Sequence, residues 1–280
     1  MPQAEPAPAP DNTGQHLQAA YAPAGGPAAI FSRKVADYAA SRPDYPAALF
    51  RCLDAAAPAA RPGQPEPGWV DVGAGTGLLT RGLLALGRPV LAVEPSAEMR
   101  AAADQALAGW PGYRSAAGQA EALPVPDASV GMITAAQAFH WFDIPRARAE
   151  CQRVLAPGGL VALIWNDRVP GDPLHVALDQ VFERHGGAQR GALLAHESQR
   201  PLGAFFGTAP VQAQQWPHVH HLSEDGLARL VFSRSYMPAP DSPAGRRVRA
   251  ELGELFQARA EGQAEVAVRY TTVLYLGRPA

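Results

Sequence analysis

A run of glycines that follows an apolar strand has the clearest chemical meaning in this sequence. The run is Val70–Thr80, in which Gly73, Gly75 and Gly77 alternate with other residues and Asp71 stands two positions before the first glycine. Glycine lets the backbone turn sharply and lets a ligand lie against bare peptide groups. A carboxylate beside such a turn favours a ligand that carries positive charge.

The spacing of the glycines distinguishes two kinds of ligand. A dinucleotide fingerprint, G-x-G-x-x-G, would require glycine at position 78. Leu78 stands there, so the pattern is G-x-G-x-G. S-adenosylmethionine (SAM) carries positive charge at its sulfonium and its amino group, which suits Asp71. A nicotinamide oxidoreductase is an alternative, because the same strand order supports both chemistries. A second alternative is that the glycine turn serves only to join the strand to the helix.

A second acid stands at the end of the next predicted strand. Glu94 comes 23 residues after Asp71 and is followed by Pro95 and Ser96. An acid at this place can accept hydrogen bonds from both hydroxyls of a ribose, which SAM and NAD share. A solvated acid is the alternative interpretation. Ser96 is expected to cap the following helix.

From Trp69 onward, short β-rich runs alternate with helical stretches, which is typical of βαβ units. A helix that starts near Pro145 is expected to run to Leu155, before a turn at Pro157–Gly159. We predict an α/β fold: a Rossmann-like doubly wound sheet of about seven strands, mostly parallel with an antiparallel last strand, plus a helical cap. The predicted strands are Trp69–Val72, Pro89–Val93, Tyr113–Ala117, Val130–Ala135, Leu160–Trp165, Val211–Leu222 and Arg269–Leu276.

The chain divides into four predicted parts. Residues 1–28, rich in Pro, Ala and Gly, are expected to be a disordered tail. Residues 29–166 form the core that binds the cofactor, and they begin with two helices, the second at Ala47–Ala57. Residues 167–210, where the βα rhythm is lost, are predicted to be a cap insertion. Residues 211–280 are expected to complete the sheet.

Composition excludes several classes of function. The net charge of −2 and the pI near 6.4 leave no excess of positive charge for a phosphate backbone, so nucleic acid is not an expected partner. Neither a signal peptide nor an apolar run long enough to span a membrane is visible. The isolated Cys52 and Cys151 favour a reduced cytoplasm. His218, His220 and His221 have no acid-rich partner set, so no metal is predicted, and they are expected at the surface or in the cap.

Four segments together resemble the class I SAM-dependent methyltransferases. Within that class the chain is similar to the small-molecule group that includes trans-aconitate methyltransferases and quinone-biosynthesis C-methyltransferases. The resemblance covers about residues 31–278 and implies methyl transfer from SAM to a small organic acceptor by in-line displacement. The segments are VDVGAGTGLLT (70–80), AVEPS (92–96), GQAEALPVPDASV (118–130) and RVLAPGGLVALIWN (153–166).

The resemblance implies a role for each matching residue. Asp71 would hold the amino group of SAM directly or through water, Glu94 would bind the ribose, and Gln119 would flank the adenine, where many relatives carry Asp. It also places a segment with Phe31, Tyr38 and 42–46 over the cofactor as a lid, with ordinary helix packing as the alternative for Tyr38. The expected cofactor-binding residues are Asp71, Gly73, Ala74, Gly75, Thr76, Gly77, Glu94, Pro95, Gln119, Ala120 and Gln137. A protein that binds SAM without catalysis is an alternative.

The loop after the fourth predicted strand, residues 137–143, holds three aromatic side chains and a histidine. Ligands of doubly wound sheets gather at the carboxyl ends of the strands, so the acceptor is expected to touch this loop. Two of Phe139, Trp141 and Phe142 are expected to pack the helix against the sheet. His140 is the candidate catalytic base, because imidazole titrates near neutral pH, and a hydrogen-bonded structural role is its alternative.

Overall fold

The computed structural model describes residues 41–58, 67–187, 190–191, 200–234 and 236–280. The expected tail at 1–28 lies outside the described residues. So does the helical pattern that carries Phe31 and Tyr38. The described chain begins at Ser41, directly before the segment that was expected to form part of the lid.

Seven strands form one sheet in the order β3-β2-β1-β4-β5-β7-β6. The last strand, β7, runs antiparallel to both of its neighbours, and the other pairs are parallel, so the predicted fold class is confirmed. The strands are β1 Gly68–Val72, β2 Val90–Val93, β3 Tyr113–Ala116, β4 Val130–Ala136, β5 Leu155–Arg168, β6 Val211–Leu222 and β7 Val266–Gly277.

The fifth strand is longer at both ends than its apolar run predicts. It begins at Leu155, which pairs with Val130, and a shift of register along β4 accommodates the Pro-Gly-Gly turn inside the strand. The preceding helix therefore ends at Val154, one residue earlier than predicted. The strand continues to Arg168 because β7 pairs with it that far. The first two residues assigned to the cap are consequently part of the sheet.

Alternation along the strands sends side chains to two faces, and helices cover both. Trp69 packs on one face with α1–α3, whereas its neighbour Val70 packs on the other with α4 and α6. The helices are α1 Ala47–Ala56, α2 Leu78–Ala85, α3 Ala97–Leu107, α4 Ile144–Val154, α5 Pro173–His185, α6 Leu202–Phe206, α7 Glu224–Phe232 and α8 Pro243–Ala260. A short 3-10 helix, Phe139–Trp141, precedes α4.

A third hydrophobic cluster belongs to the chain after the fifth strand. Helices α5, α7 and α8 pack against the first half of β7, with Phe182, Leu227, Val248 and Val268 buried among them. Trp141 packs against this cluster and also against the cluster under α4. The late helices thus stand beside the carboxyl ends of the parallel strands, where they can help to build a site.

The edge strand β6 reaches back to the start of the described chain. His218 Nε2 lies 3.0 Å from the Asp44 carboxylate, and His220 Nε2 lies 3.1 Å from the Ser41 carbonyl oxygen. Both side chains share one face of the strand and are half-buried, whereas His221 on the other face is exposed. The histidines expected at the surface therefore include two that fix the segment Ser41–Asp44 in place.

Membrane-spanning helices and clusters of metal-ligating side chains are both absent from the described ranges. None of the helices found there combines the length and apolar character needed to cross a membrane. The same residues contain no group of three or more His, Cys, Asp or Glu placed to hold a metal ion.

Candidate functional site

A cavity of about 240 Å³ opens at the carboxyl ends of β1, β4 and β5. Its first side is the glycine loop, with Asp71, Gly73, Ala74, Gly75 and Thr76. Next to it stand Gln137, His140 and Trp141 from the loop after β4. The remaining wall includes Arg42, Pro43, Tyr45, Trp165, Asn166, Asp167, Arg168, Arg200, Arg234, Tyr236 and Tyr270.

The glycine loop adopts a conformation that only glycine tolerates well. Gly73, Gly75 and Gly77 all have positive φ, at 67°, 58° and 82°. A Cβ atom on Gly73 would lie 2.6 Å from the Cβ of Ala138, so a side chain there would force the loop to move. The alternation seen in the sequence therefore has a direct cause, and the loop leaves peptide groups bare toward the cavity.

Asp71 is the buried charge of the site, with only 1% of its surface exposed. One carboxylate oxygen accepts from the Thr80 hydroxyl at 2.6 Å and the other from the Thr134 hydroxyl at 2.8 Å. Burial raises the pKa of Asp71 to about 6, although the two hydroxyls act to lower it. The side chain is thus held in a fixed orientation at the edge of the cavity, and its ionised form is costly without a cationic partner.

Glu94 ties the end of β2 to the glycine loop. Its carboxylate accepts from the Gly75 amide at 3.0 Å and from the Ser96 amide at 2.9 Å. Burial raises the pKa of Glu94, and the two amides and Arg100 oppose that rise. The Ser96 hydroxyl accepts from the Met99 amide at 3.2 Å, so Ser96 caps α3 as expected.

Five of the residues predicted to bind the cofactor lie outside the cavity lining. Gly77 is buried at the start of α2, and its Cβ position would meet Leu107. Glu94 is buried and Pro95 is exposed, and both border the glycine loop from β2. Gln119 is exposed and Ala120 is buried in the core beyond β3. The predicted set therefore divides into a part within the cavity and a part along the ends of β2 and β3.

The loop after β4 divides its side chains between the core and the cavity. Phe139 and Phe142 are buried and meet edge to face, with ring centroids 5.7 Å apart. Trp141 and His140 line the cavity instead, with their ring centroids 4.9 Å apart. Two of the three aromatic residues therefore pack the loop against the sheet, as expected. Among the described residues of the cavity lining, His140 is the one that carries an imidazole.

The wall opposite the glycine loop was not foreseen from the sequence. Its members come from the end of β5, from the segment before α6, from the segment after α7 and from β7. The residues on β5 could have been found by extending that strand by three positions past Trp165. The others carry no local signal, because their distance along the chain conceals their proximity. The missed residues are Trp165, Asn166, Asp167, Arg168, Arg200, Arg234, Tyr236 and Tyr270.

Asn166 connects three parts of this wall. Its side-chain nitrogen donates to the Asp44 carbonyl oxygen at 3.0 Å, and its side-chain oxygen accepts from the Thr272 hydroxyl at 2.6 Å. Its own carbonyl oxygen accepts from the Gln137 side chain at 3.3 Å. The buried amide therefore fixes the segment that carries Arg42 and Tyr45 against β5 and β7.

Comparison with known proteins gives one consistent result. Residues 70–163 match the methyltransferase domain family. An uncharacterized methyltransferase from Mycobacterium tuberculosis is 36% identical over 206 residues, which is 74% of this chain and 76% of that protein. An uncharacterized methyltransferase from Schizosaccharomyces pombe is 29% identical over 248 residues, which is 88% of this chain and 95% of that protein. The solved structure of a candidate type II methyltransferase from Anaeromyxobacter dehalogenans has a TM-score of 0.59 at 27% identity, covering 84% of this chain and 96% of its own.

Proposed function

The chain belongs to the class I SAM-dependent methyltransferases, and from that premise we propose that it methylates a small organic molecule bound in the cavity. One observation carries the proposal: the cavity starts at the buried carboxylate of Asp71 and continues past the glycine loop to a separate wall of aromatic and polar side chains. This continuity provides one side for the cofactor and another for an acceptor. The narrower likeness to trans-aconitate and quinone C-methyltransferases stays a prediction.

The residues on the first side suit SAM in charge and in shape. Asp71 is a buried anion whose raised pKa a cationic amino group would lower, and Gly73 and Gly75 line the cavity at positive φ without side chains. We assign the amino group to Asp71, the methionine part to Gly73 and Gly75, and the ribose to Glu94. When bound, SAM supplies an activated methyl group on a sulfonium. Gln119 and Ala120 are assigned to the adenine.

The protein contributes alignment and exclusion of water to this reaction. A displacement at a methyl carbon needs donor and acceptor in line, and a rigid cavity wall provides that orientation. His140 stands between the glycine loop and the far wall, and it would take the proton of an acceptor that begins protonated. The ring contact with Trp141 limits the positions that the imidazole can adopt.

The two alternatives make different demands on the site. A nicotinamide oxidoreductase would need the third glycine of the dinucleotide pattern, and Leu78 occupies its place. A protein that binds SAM without catalysis would need no second wall beside the glycine loop. The cytoplasmic location expected from the two free cysteines, Cys52 and Cys151, belongs to the same proposal.

A combined binding and turnover experiment tests the proposal. Calorimetry should show one SAM per chain and no binding of NAD or NADP, and radiolabelled SAM should yield labelled product and S-adenosylhomocysteine from a panel of small acids and phenols. With an acceptor identified, His140→Gln should lower kcat by about 100-fold while the Kd for SAM stays unchanged. His221→Gln is the matched control, because His221 is exposed on β6 away from the cavity.

Two results would contradict these assignments. Binding of a nicotinamide cofactor without binding of SAM would end the methyltransferase assignment for this site. Wild-type turnover by His140→Gln on the true acceptor would remove His140 from the reaction and leave alignment as the source of catalysis.

A further inference from the structure

Charge is distributed unevenly along the cavity lining. Among the described residues of the lining, the guanidinium groups are those of Arg42, Arg168, Arg200 and Arg234, and the carboxylates are those of Asp71 and Asp167. Asp71 is engaged by two threonine hydroxyls on the side of the glycine loop. Positive charge therefore exceeds negative charge in the lining of the opposite wall, even though Arg200 pairs with Asp167 and Arg168 pairs with Asp179 outside the lining. Exclusion of water strengthens the attraction of such cations for a further anion.

Arg168 is held rigidly before any ligand arrives. Its Nε donates to His175 Nδ1 at 2.9 Å, one terminal nitrogen donates to Asp179 at 2.7 Å, and the other donates to the His175 carbonyl oxygen at 2.6 Å. A guanidinium carries five N–H donors, so two remain beyond these three bonds. The side chain is thus fixed in position with donors left for a ligand.

Arg200 and Arg234 are also held in place, by contact with aromatic rings. The Arg200 guanidinium lies 4.4 Å from the ring centroid of Trp165 and pairs with Asp167. The Arg234 guanidinium lies 5.7 Å from the ring centroid of Phe182. A cation–π contact holds each guanidinium against its ring, and the N–H groups lie at the edge of the guanidinium, where Arg200 already meets a carboxylate in Asp167.

Three of these arginines converge on one phenol. Tyr270 is 4% exposed and is paired in register with Arg168 across β5 and β7. The charges of Arg42, Arg168 and Arg234 all act on its hydroxyl. The convergence lies two strands beyond β4 and three beyond β1, and it is six residues along β7 from Leu276, the residue in register with Asp71. The arginine wall, defined as Arg42, Arg168, Arg200 and Arg234, is therefore separate from the glycine loop.

We propose that the arginine wall binds a carboxylate of the methyl acceptor, so that the substrates of this protein are organic acids. The inference rests on the proposed function, since it assigns the substrate class of the same cavity. A guanidinium matches the planar carboxylate with two parallel hydrogen bonds, which a neutral amide of the same shape cannot accept in full. Tyr45, Tyr236 and Trp141 provide the aromatic surface for the body of the acid.

Binding measurements with matched pairs of compounds test this inference independently of turnover. The protein loaded with S-adenosylhomocysteine is titrated by calorimetry with aromatic, aliphatic and dicarboxylic acids, each beside its primary amide, and with one phosphomonoester. At least one acid should bind about 10-fold or more tightly than its amide. Arg234→Gln and Arg200→Gln should each remove most of that difference while the Kd for SAM stays within about twofold of the wild type.

Arg249→Gln is the matched control for Arg234→Gln. The Arg249 guanidinium lies 5.7 Å from the ring centroid of Phe232, the same distance as Arg234 from Phe182, but Arg249 is exposed and outside the cavity lining. The Arg249→Gln variant should leave the preference for acids over amides unchanged. Far-UV circular dichroism and a melting curve show whether each variant folds, and Arg200→Gln serves if Arg234→Gln does not.

The outcomes separate this inference from the proposed function. Equal binding of acids and amides, or tighter binding of the phosphomonoester than of every acid, would overturn the carboxylate assignment even if SAM binds. A loss of SAM affinity in the arginine variants without a change in the preference for acids would also overturn it, since the wall would then serve the cofactor. A chain that fails to bind SAM at all would instead contradict the proposed function.

Discussion

The two sides of the cavity are assembled in different ways. The side with the glycine loop comes from one continuous stretch, Val70–Thr80, supported by Glu94 at the end of the neighbouring strand. The arginine wall draws its four residues from four separate places between positions 42 and 234. A ligand that many proteins share can be recognised by a short local motif, whereas a wall built from distant residues depends on the complete fold.

The largest effect is expected from a single methyl group on the glycine side. Gly73→Ala places a Cβ 2.6 Å from the Cβ of Ala138 at a positive φ, so the loop that we propose to hold SAM must change its conformation. The Kd for SAM should rise by about 100-fold or more, measured by calorimetry.

Gly87→Ala separates backbone strain from loss of the site. Gly87 has φ 79°, and its added Cβ would meet nothing within 4 Å. That variant should lose about 1 kcal/mol of stability and keep its affinity for SAM. Equal loss of SAM affinity in both variants would show that general destabilisation, and not the shape of the glycine loop, is responsible.

An intermediate effect is expected from the buried acid. Asp71→Asn should weaken the binding of SAM by about 10- to 100-fold, because the proposed hydrogen bond from the amino group of SAM would lose its charged acceptor. The wild-type Kd for SAM should also rise as the pH falls below about 6, where Asp71 takes up a proton. A calorimetric pH series from 5 to 8 on both proteins measures the two effects together.

The same substitution should stabilise the protein without its cofactor. The folded-state pKa of Asp71, about 6, lies above its usual value of 3.8, so the folded protein binds more protons than the unfolded chain between these pH values. The contribution of this group to stability therefore declines by roughly 3 kcal/mol as the pH rises from about 4 to 6, and it stays low above pH 6. Melting curves at pH 7.5 should place Asp71→Asn above the wild type. A lower melting temperature with unchanged SAM affinity would show that Asp71 is a structural residue.

The smallest effect is expected on the opposite wall. Thr272→Val removes the hydroxyl that donates to Asn166, and so loosens the amide that holds the Asp44 carbonyl. The KM for the acceptor should rise about three- to tenfold and the Kd for SAM should stay constant, with a loss of about 1–3 kcal/mol in stability for the unsatisfied oxygen. Thr271→Val, on the other face of β7, is the control for the substitution itself. A change in SAM affinity alone would show that the two sides of the cavity are not independent.

These two sides also differ in how far the sequence could predict them. Asp71 and its glycines could be identified because strand, turn and helix are consecutive, and a positive φ leaves a direct mark on residue type. Most of the sheet was predictable for the same reason, since β1, β2, β4, β5 and β7 each contain an apolar run. The end of β5 was missed because Asp167 and Arg168 are charged, and only pairing with β7 makes them strand residues.

The remainder of the arginine wall follows from tertiary structure alone. Arg200 and Arg234 stand in segments without periodicity, and nothing near them in the sequence predicts a ligand. Their place is set by the cluster of α5, α7 and α8, which brings Phe182 under Arg234. Residue types alone would have suggested exposed surface charges for both.

The attachment of the segment Ser41–Asp44 has a consequence for the order in which the molecule can fold. The segment is held by Asn166, 122 residues later, and by His220, 179 residues later. Contacts of such separation carry a high entropic cost of loop closure and form only after the intervening chain is ordered. During synthesis the segment leaves the ribosome long before either partner exists. The glycine loop can therefore acquire its shape while the chain is still growing, whereas the wall that faces it is completed only when the final strands join the sheet.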